Sequence, residues 1–195
     1  MSMNTADRGL ERRTFGDVRV DLSEDQKIRG TAIVFNSRSV DLGGFTEIIM
    51  PEAVDRTIRD GLDVRALIDH DSAKVIGRTR SGTLSLRKTM RGLEIVVDPP
   101  NTSYARDLLE SVGRGDISGM SFGFRVLDDE WRLEDGQPVR EVTDMVVSEV
   151  SVVSFPAYQE TDVSIAQRSL QAFQEAHGGH KLDLMRKFHK TRLAR

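Results

Sequence analysis

The segment "MVVSEVSVVSF", residues 145 to 155, constrains the fold more than any other. In an extended chain Met145, Val147, Val153 and Phe155 fall on one face, and Val146, Val150 and Val152 on the other. A strand apolar on both faces belongs inside a sheet covered on both sides. Glu149 stands in its middle. A carboxylate withdrawn from water costs several kcal/mol unless it is paired. It needs a partner, either an arginine such as Arg29, Arg65 or Arg125, or the histidine His70. Paired with His70, it would orient the imidazole as the third member of a nucleophilic triad does.

The rest of the chain supports a strand-rich fold. "FGDVRVDL", "KIRGTAIVFN", "DVRALIDHD", "KVIGRTR", "TLSLRKT" and "GLEIVVD" read as strands. "SG" and "MRG" between the last three read as hairpin turns, as does "DG" at 135 and 136. "PEAVDRTIRD" reads as a short helix stopped by Gly61. "SYARDLLESVGRG" reads as a helix capped by Asn101 or Thr102 and ended by glycine. Strands succeed one another without regular helical crossovers, which points to a mostly antiparallel barrel or sandwich. Residues 1 to about 13 are polar and expected to be loose. At the other end "VSIAQRSLQAFQEA" has helical spacing, "HGGH" breaks it, and "KLDLMRKFHKTRLAR" is a basic amphipathic helix. Its apolar positions Leu182, Met185, Phe188 and Leu193 would suit docking on an acidic partner.

Composition excludes several classes. The 195 residues carry a net charge of -3, which gives no basic signature for nucleic acid. No cysteine is present, so disulfides, thiol nucleophiles and thiolate metal sites are excluded. The histidines lack a metal-binding spacing such as H-E-x-x-H, and no cofactor or metal is expected. No apolar run is long enough for a membrane span, and the N-terminus lacks a signal-peptide core. A soluble intracellular protein is the expectation.

"GDISGMSFGFRV", residues 115 to 126, contains G-x-S-x-G around Ser121. That pattern can mark a serine nucleophile on a turn that enters a helix. Here Met120, Phe122, Phe124 and Val126 alternate with Ser121, Gly123 and Arg125, which is a strand with one core face. Gly123 would leave a gap beside the hydroxyl, suited to the backbone of a peptide substrate. The order His70, Ser121, Glu149 differs from the three familiar triad orders. An α/β-hydrolase reading would join Ser121 to Asp144 or Asp162 and to His177 or His180. It requires a helix after Ser121, and the pattern argues against it.

"IRGTAIVFN", "TEIIMPEAV", "ALIDHD…IGRTRSGTLSL", "GDISGMSFGF" and "SEVSVVSFPAYQETDV" together resemble the prohead proteases of tailed bacteriophages, serine proteases similar in fold to herpesvirus assemblins. The resemblance covers roughly residues 28 to 165. It implies an α+β fold that is mainly β, a mostly antiparallel β-barrel wrapped by helices, here with a C-terminal helical tail. The expected organisation is a flexible segment 1–13, a protease domain 14–165 and a helical basic tail 166–195. By position, the family's histidine falls on His70, its nucleophile on Ser121 and its third residue on Glu149, where assemblins use a second histidine. Gly123 and Arg125 are candidates for contacts to substrate or oxyanion, with the backbone near Ser151 to Pro156. The implied activity is cleavage of scaffold or major capsid protein segments inside the assembling prohead in the host cytoplasm, and the flexible "HGGH" joint adds trimming of the tail by the enzyme itself as a separate expectation. No nucleic acid or membrane partner is expected, and a homodimer is one assembly open to it. Two rivals are a non-catalytic capsid-assembly or scaffold-binding protein on the same fold, and a small-molecule esterase.

Overall fold

The computed structural model describes residues 9–14, 20–23, 25–154 and 164–176. In chain order these form β1 (Glu11–Thr14), β2 (Val20–Leu22), β3 (Ile28–Val34), β4 (Thr46–Ile49), α1 (Asp55–Arg59), β5 (Arg65–Ile68), β6 (Asp71–Arg78), β7 (Leu84–Lys88), β8 (Gly92–Val97), α2 (Ser103–Arg114), β9 (Gly119–Glu134), β10 (Gln137–Val153) and α3 (Ser164–Ala176). One sheet runs β1-β9-β10-β5-β6, with β4 also on β10, and a second runs β2-β3-β8-β7. The fold is therefore α+β and mainly strand.

β9 and β10 form one long hairpin around Asp135 and Gly136, whose φ angles of 51° and 77° suit a type I′ turn. The other edge of β10 is shared. β4 pairs with Val139–Val142 and β5 with Glu149–Val152, both in parallel. All other pairings of the named strands are antiparallel. The core lies between the sheets, where Met120, Phe122, Phe124 and Val126 of β9 meet Ile28, Ile33 and Leu93 of the second sheet.

The expected closed barrel is not formed by the described strands, which make two separate sheets. The reason lies at "SG". Instead of a two-residue hairpin, Thr79–Ser81 makes a 3₁₀ turn ended by Gly82 at φ 75°. That longer link carries the chain across, so β6 pairs with β5 and β7 with β8. The turn at "MRG" does join the β7–β8 hairpin. Thr102 occupies the N-cap of α2, but its hydroxyl makes no capping bond, while Gly115 ends the helix at φ 80°.

β10 also does not turn both faces to the core between Met145 and Val153. Its pairing with β9 shifts between Val147 and Glu149, which leaves Ser148 as a bulge. A bulge inserts one residue and exchanges the faces beyond it. Met145 and Val147 point into the core before it, and Val150 and Val152 after it. The segment is apolar at both parities because its core face switches, and Glu149 lands on the face away from the core.

Residues 11 to 13 are also not loose. Glu11 and Arg13 are 0% and 2% exposed, because β1 pairs along β9 and both side chains enter a buried ion cluster. Arg140, 1% exposed, reaches Glu11 Oε2 and Glu47 Oε2 at 2.9 Å and Asp129 Oδ2 at 2.7 Å. Arg13 Nε reaches Glu47 Oε1 at 2.9 Å. Burial alone would lower the Arg140 pKa, but the charges of Glu47, Glu11 and Asp129 outweigh it and hold the guanidinium above its ordinary value. Arg140→Met is therefore expected to destabilise the fold by about 3–5 kcal/mol, the usual cost of stranding buried charges. A urea melt checks this, and an unchanged midpoint would contradict it.

α3 packs Ala166 and Leu170 on Leu42 and Phe45, and Trp131 Nε1 donates to Ser169 Oγ at 2.9 Å. "HGGH" and the basic segment 181–195 lie outside the described residues, as do Asp162, His177 and His180. No helix among the described residues is long and apolar enough to cross a membrane.

Candidate active site

β5 and β6 are joined by Asp69 and His70, with φ angles of 47° and 59°. Two successive left-handed residues turn a hairpin tightly, and non-glycine residues there are held at a cost in strain. The alternation of β5 thus ends at Ile68, and the turn rather than the strand aims the imidazole. Asp69 pins that turn to the end of β10. Its amide donates to the Val152 carbonyl at 2.9 Å, and its carboxylate accepts from the Ser154 amide and hydroxyl at 2.8 and 3.0 Å.

His70 Nδ1 lies 2.6 Å from Glu149 Oε1. The second oxygen, Oε2, accepts the Ser151 hydroxyl at 2.6 Å. Arg12 of β1 adds positive charge, its Nε 3.7 Å from Oε1. Glu149 therefore takes the histidine as its partner, together with an arginine outside the three considered from sequence. Gly123 makes this arrangement possible. A Cβ at that position would stand 2.5 Å from Glu149 Oε1, closer than atoms can approach. The gap expected for a substrate backbone is occupied by the carboxylate.

Ser121 shares this face. In the β9–β10 register it lies opposite Ser151, as Gly123 lies opposite Glu149. Its hydroxyl donates to the Arg13 carbonyl of the adjacent β1 at 2.9 Å, and the residue is 2% exposed. Among the described residues no hydrogen bond joins Ser121 to His70. The face thus holds a hydroxyl, an imidazole and a carboxylate along three adjoining segments, the elements of acyl transfer.

A family model described as the caudovirus prohead serine protease matches residues 16–176. The chain belongs to this family. Among solved structures, that of the bacteriophage T4 capsid assembly protease, gp21, is similar at 9% identity and a TM-score of 0.46, over 74% of this chain and 96% of that one. None of the curated proteins matches.

In this prohead serine protease the remaining candidates fall elsewhere. Arg125 is exposed on β9, four residues past Ser121. That is about 13 Å of extended chain, too far along the strand for a carbonyl held at the hydroxyl. The Ser154 amide, one of the backbone donors considered, is committed to Asp69. Asp71, which follows His70 in the chain and is the fallback for the orienting acid, accepts the Ala73 amide, and that bond first, with Lys74 nearby, holds its carboxyl below the usual range. Asp144, the acid of the hydrolase alternative, pairs with Arg56, and β9 continues as strand where that alternative needs a helix. Among the described residues no cluster of three or more His, Asp or Glu could hold a metal ion.

The Ser151 hydroxyl and Arg12 escaped the sequence reading, while Asp69, a fallback beside His70 for the orienting acid, instead pins the turn. Ser151 had a signal, since it stands two residues after Glu149 on the same side of the strand. Arg12 had none. Ser151→Ala removes one of the two hydrogen bonds that described residues make to Glu149 and should lower peptide cleavage by about tenfold, on the scale of one lost bond to a charged group. Steady-state kinetics on a peptide substrate checks this, and a loss as deep as that of Glu149→Gln would contradict it.

Proposed function

We propose that the protein is a serine endopeptidase that cuts scaffold or capsid-protein segments, and itself, within the assembling phage shell in the host cytoplasm. The observation that carries the reading is the 2.6 Å contact of His70 Nδ1 with Glu149, beside Ser121 on one sheet face. With Nδ1–H donating to the carboxylate, Nε2 of a neutral imidazole is left as a proton acceptor. In the reaction Nε2 takes the Ser121 proton as Oγ attacks the scissile carbonyl, and Glu149 balances the imidazolium that forms. The tetrahedral intermediate collapses as the proton passes to the leaving amine. Water, activated by the same imidazole, then releases the acyl group from Oγ. Specificity for a peptide rather than a small ester is expected from an edge strand, which binds extended chains through their backbone.

The test is co-expression with the major capsid protein encoded alongside, followed by intact-mass measurement. Defined fragments of the capsid or scaffold protein that need the protease are the expected result. Unchanged masses with folded protease present would favour the non-catalytic assembly role.

A further inference from the structure

β7 is an end strand of the second sheet, paired with β8 alone. The register shows which of its backbone groups are free. The Thr89 amide donates to the Gly92 carbonyl at one end of the hairpin, and the Asp98 amide to the Thr83 carbonyl at the other, both at 2.9 Å. Bonded and non-bonded pairs alternate along an antiparallel ladder. Ser85 and Arg87 therefore bond across to Val96 and Glu94, whereas Leu86 and Lys88 turn their amides and carbonyls outward. Among the described residues no strand meets that edge.

Beside it opens a cleft of about 500 Å³. Ile58, Leu62 and Leu86 line it with apolar surface, and Asp63 and Arg80 with charge. Arg78 reaches Asp63 at 2.7 Å and Arg65 reaches it at 3.5 Å. The Arg78 bond first, with the charges of Arg65 and Arg80, holds the Asp63 carboxyl below the usual range. One carboxylate thus serves three guanidiniums. On the α1 side Asp55 and Asp60 are matched by Lys88 and Arg59. The excess charge at the cleft is positive.

We propose that this edge is a docking site for an extended acidic segment of the capsid or scaffold substrate, held away from the scissile bond. The inference rests on the endopeptidase reading and adds to it a class of substrate. A strand added to β7 would bond to Leu86 and Lys88 through its backbone. Its alternate apolar side chains would lie against Leu86, Ile58 and Leu62, and its acidic residues would meet Arg80. Charge decides among occupants. A second copy would set Arg87 and Lys88 against their like, which is how cations on an edge strand prevent self-pairing. The chain's own segment 181–195, with six Lys or Arg and one Asp, has the wrong sign. Position favours the substrate. Asp63 and His70 bracket β5, about 23 Å of extended chain. A protein tethered at the cleft therefore keeps its cleavable bond near the imidazole at a raised local concentration.

The test uses the full chain and a short fluorescein-labelled peptide that alternates leucine and glutamate. Anisotropy should show saturable binding, weakened about tenfold by Arg80→Glu, since like charges then meet. Lys88→Pro should abolish it and Lys88→Gln should not, because proline removes an outward amide that β8 does not use. In hydrogen exchange on the wild type the peptide should slow the Leu86 and Lys88 amides and leave those of Ser85 and Arg87 unchanged. With the capsid or scaffold protein as substrate, Arg80→Glu should raise KM and keep kcat, while a peptide that spans only the scissile bond is cut as by wild type. No saturable binding to the wild type overturns the docking edge, and equal binding of a leucine–lysine peptide overturns its charge. Binding kept by folded Lys88→Pro overturns strand addition. Absence of protection at Leu86 and Lys88 does the same if that variant fails to fold. An unchanged KM for the whole protein overturns the link to substrate. No cleavage by the folded wild type would count against the endopeptidase reading, and binding and exchange would still judge the edge.

Discussion

Ser121→Ala is expected to reduce cleavage of the co-expressed capsid or scaffold protein to background, a loss on the order of 10⁶ in turnover for a removed serine nucleophile. The fold should survive. Among the described residues the hydroxyl makes one hydrogen bond, to the Arg13 carbonyl, and its net worth is about 1 kcal/mol. Circular dichroism and a thermal melt should therefore stay close to wild type. Ser118, exposed and just ahead of β9, is the internal control, and Ser118→Ala should cleave normally. Residual specific cleavage by folded Ser121→Ala would move the nucleophile elsewhere, and the exposed serines would then need testing one by one.

The next largest effects fall on the carboxylate. Glu149→Gln keeps shape and loses charge, and should cost roughly 10⁴ in turnover, as loss of the orienting acid does in a better-known triad. Gly123→Ala should cost nearly as much although it alters no polar group. Its methyl carbon would stand 2.5 Å from Oε1, 3.0 Å from Cγ and 3.1 Å from Cδ of Glu149. The carboxylate must then swing away from His70 and Ser151. Because both changes act through one group, the double variant should be no slower than the worse single one. Multiplying losses would mean that Gly123 serves a separate purpose. Kinetics of the three variants on one peptide decides between these outcomes.

Much of this was legible in the sequence because it depends on local pattern. The alternation of Met120, Phe122, Phe124 and Val126 gives β9 its core face, and all four are fully buried. Asp135 and Gly136 carry their own turn. Helix α2 ends at its glycine as its composition requires. What stayed hidden depends on partners far away in the chain. Nothing in "ERRT" announces a buried strand, since Glu11 and Arg13 are stable there only against Glu47 and Arg140. β4 is only four residues long, and its place is set by β10. His70 could be singled out by type, but its direction comes from two left-handed residues that no periodicity encodes. The two-sheet arrangement turns on whether residues 79 to 83 form a hairpin or a crossing, and "SG" reads the same either way.

The single extra residue at Ser148 hands the choice of side to the neighbouring strand. Everything downstream of it on β10 owes its side of the sheet to its partners on β9 rather than to alternation along its own chain. Had Ser148 taken its turn in a regular alternation, Glu149 and Ser151 would point inward against the phenylalanines, while Val150 and Val152 would face His70. Many side chains in this stretch could be exchanged for others of similar size without moving the acid. Deleting Ser148 would not move it either, because Val147 and Glu149 already pair with the consecutive residues Phe124 and Gly123. The acid keeps its place as long as β9 dictates the register, and the bulge is slack that can be taken up without disturbing the site.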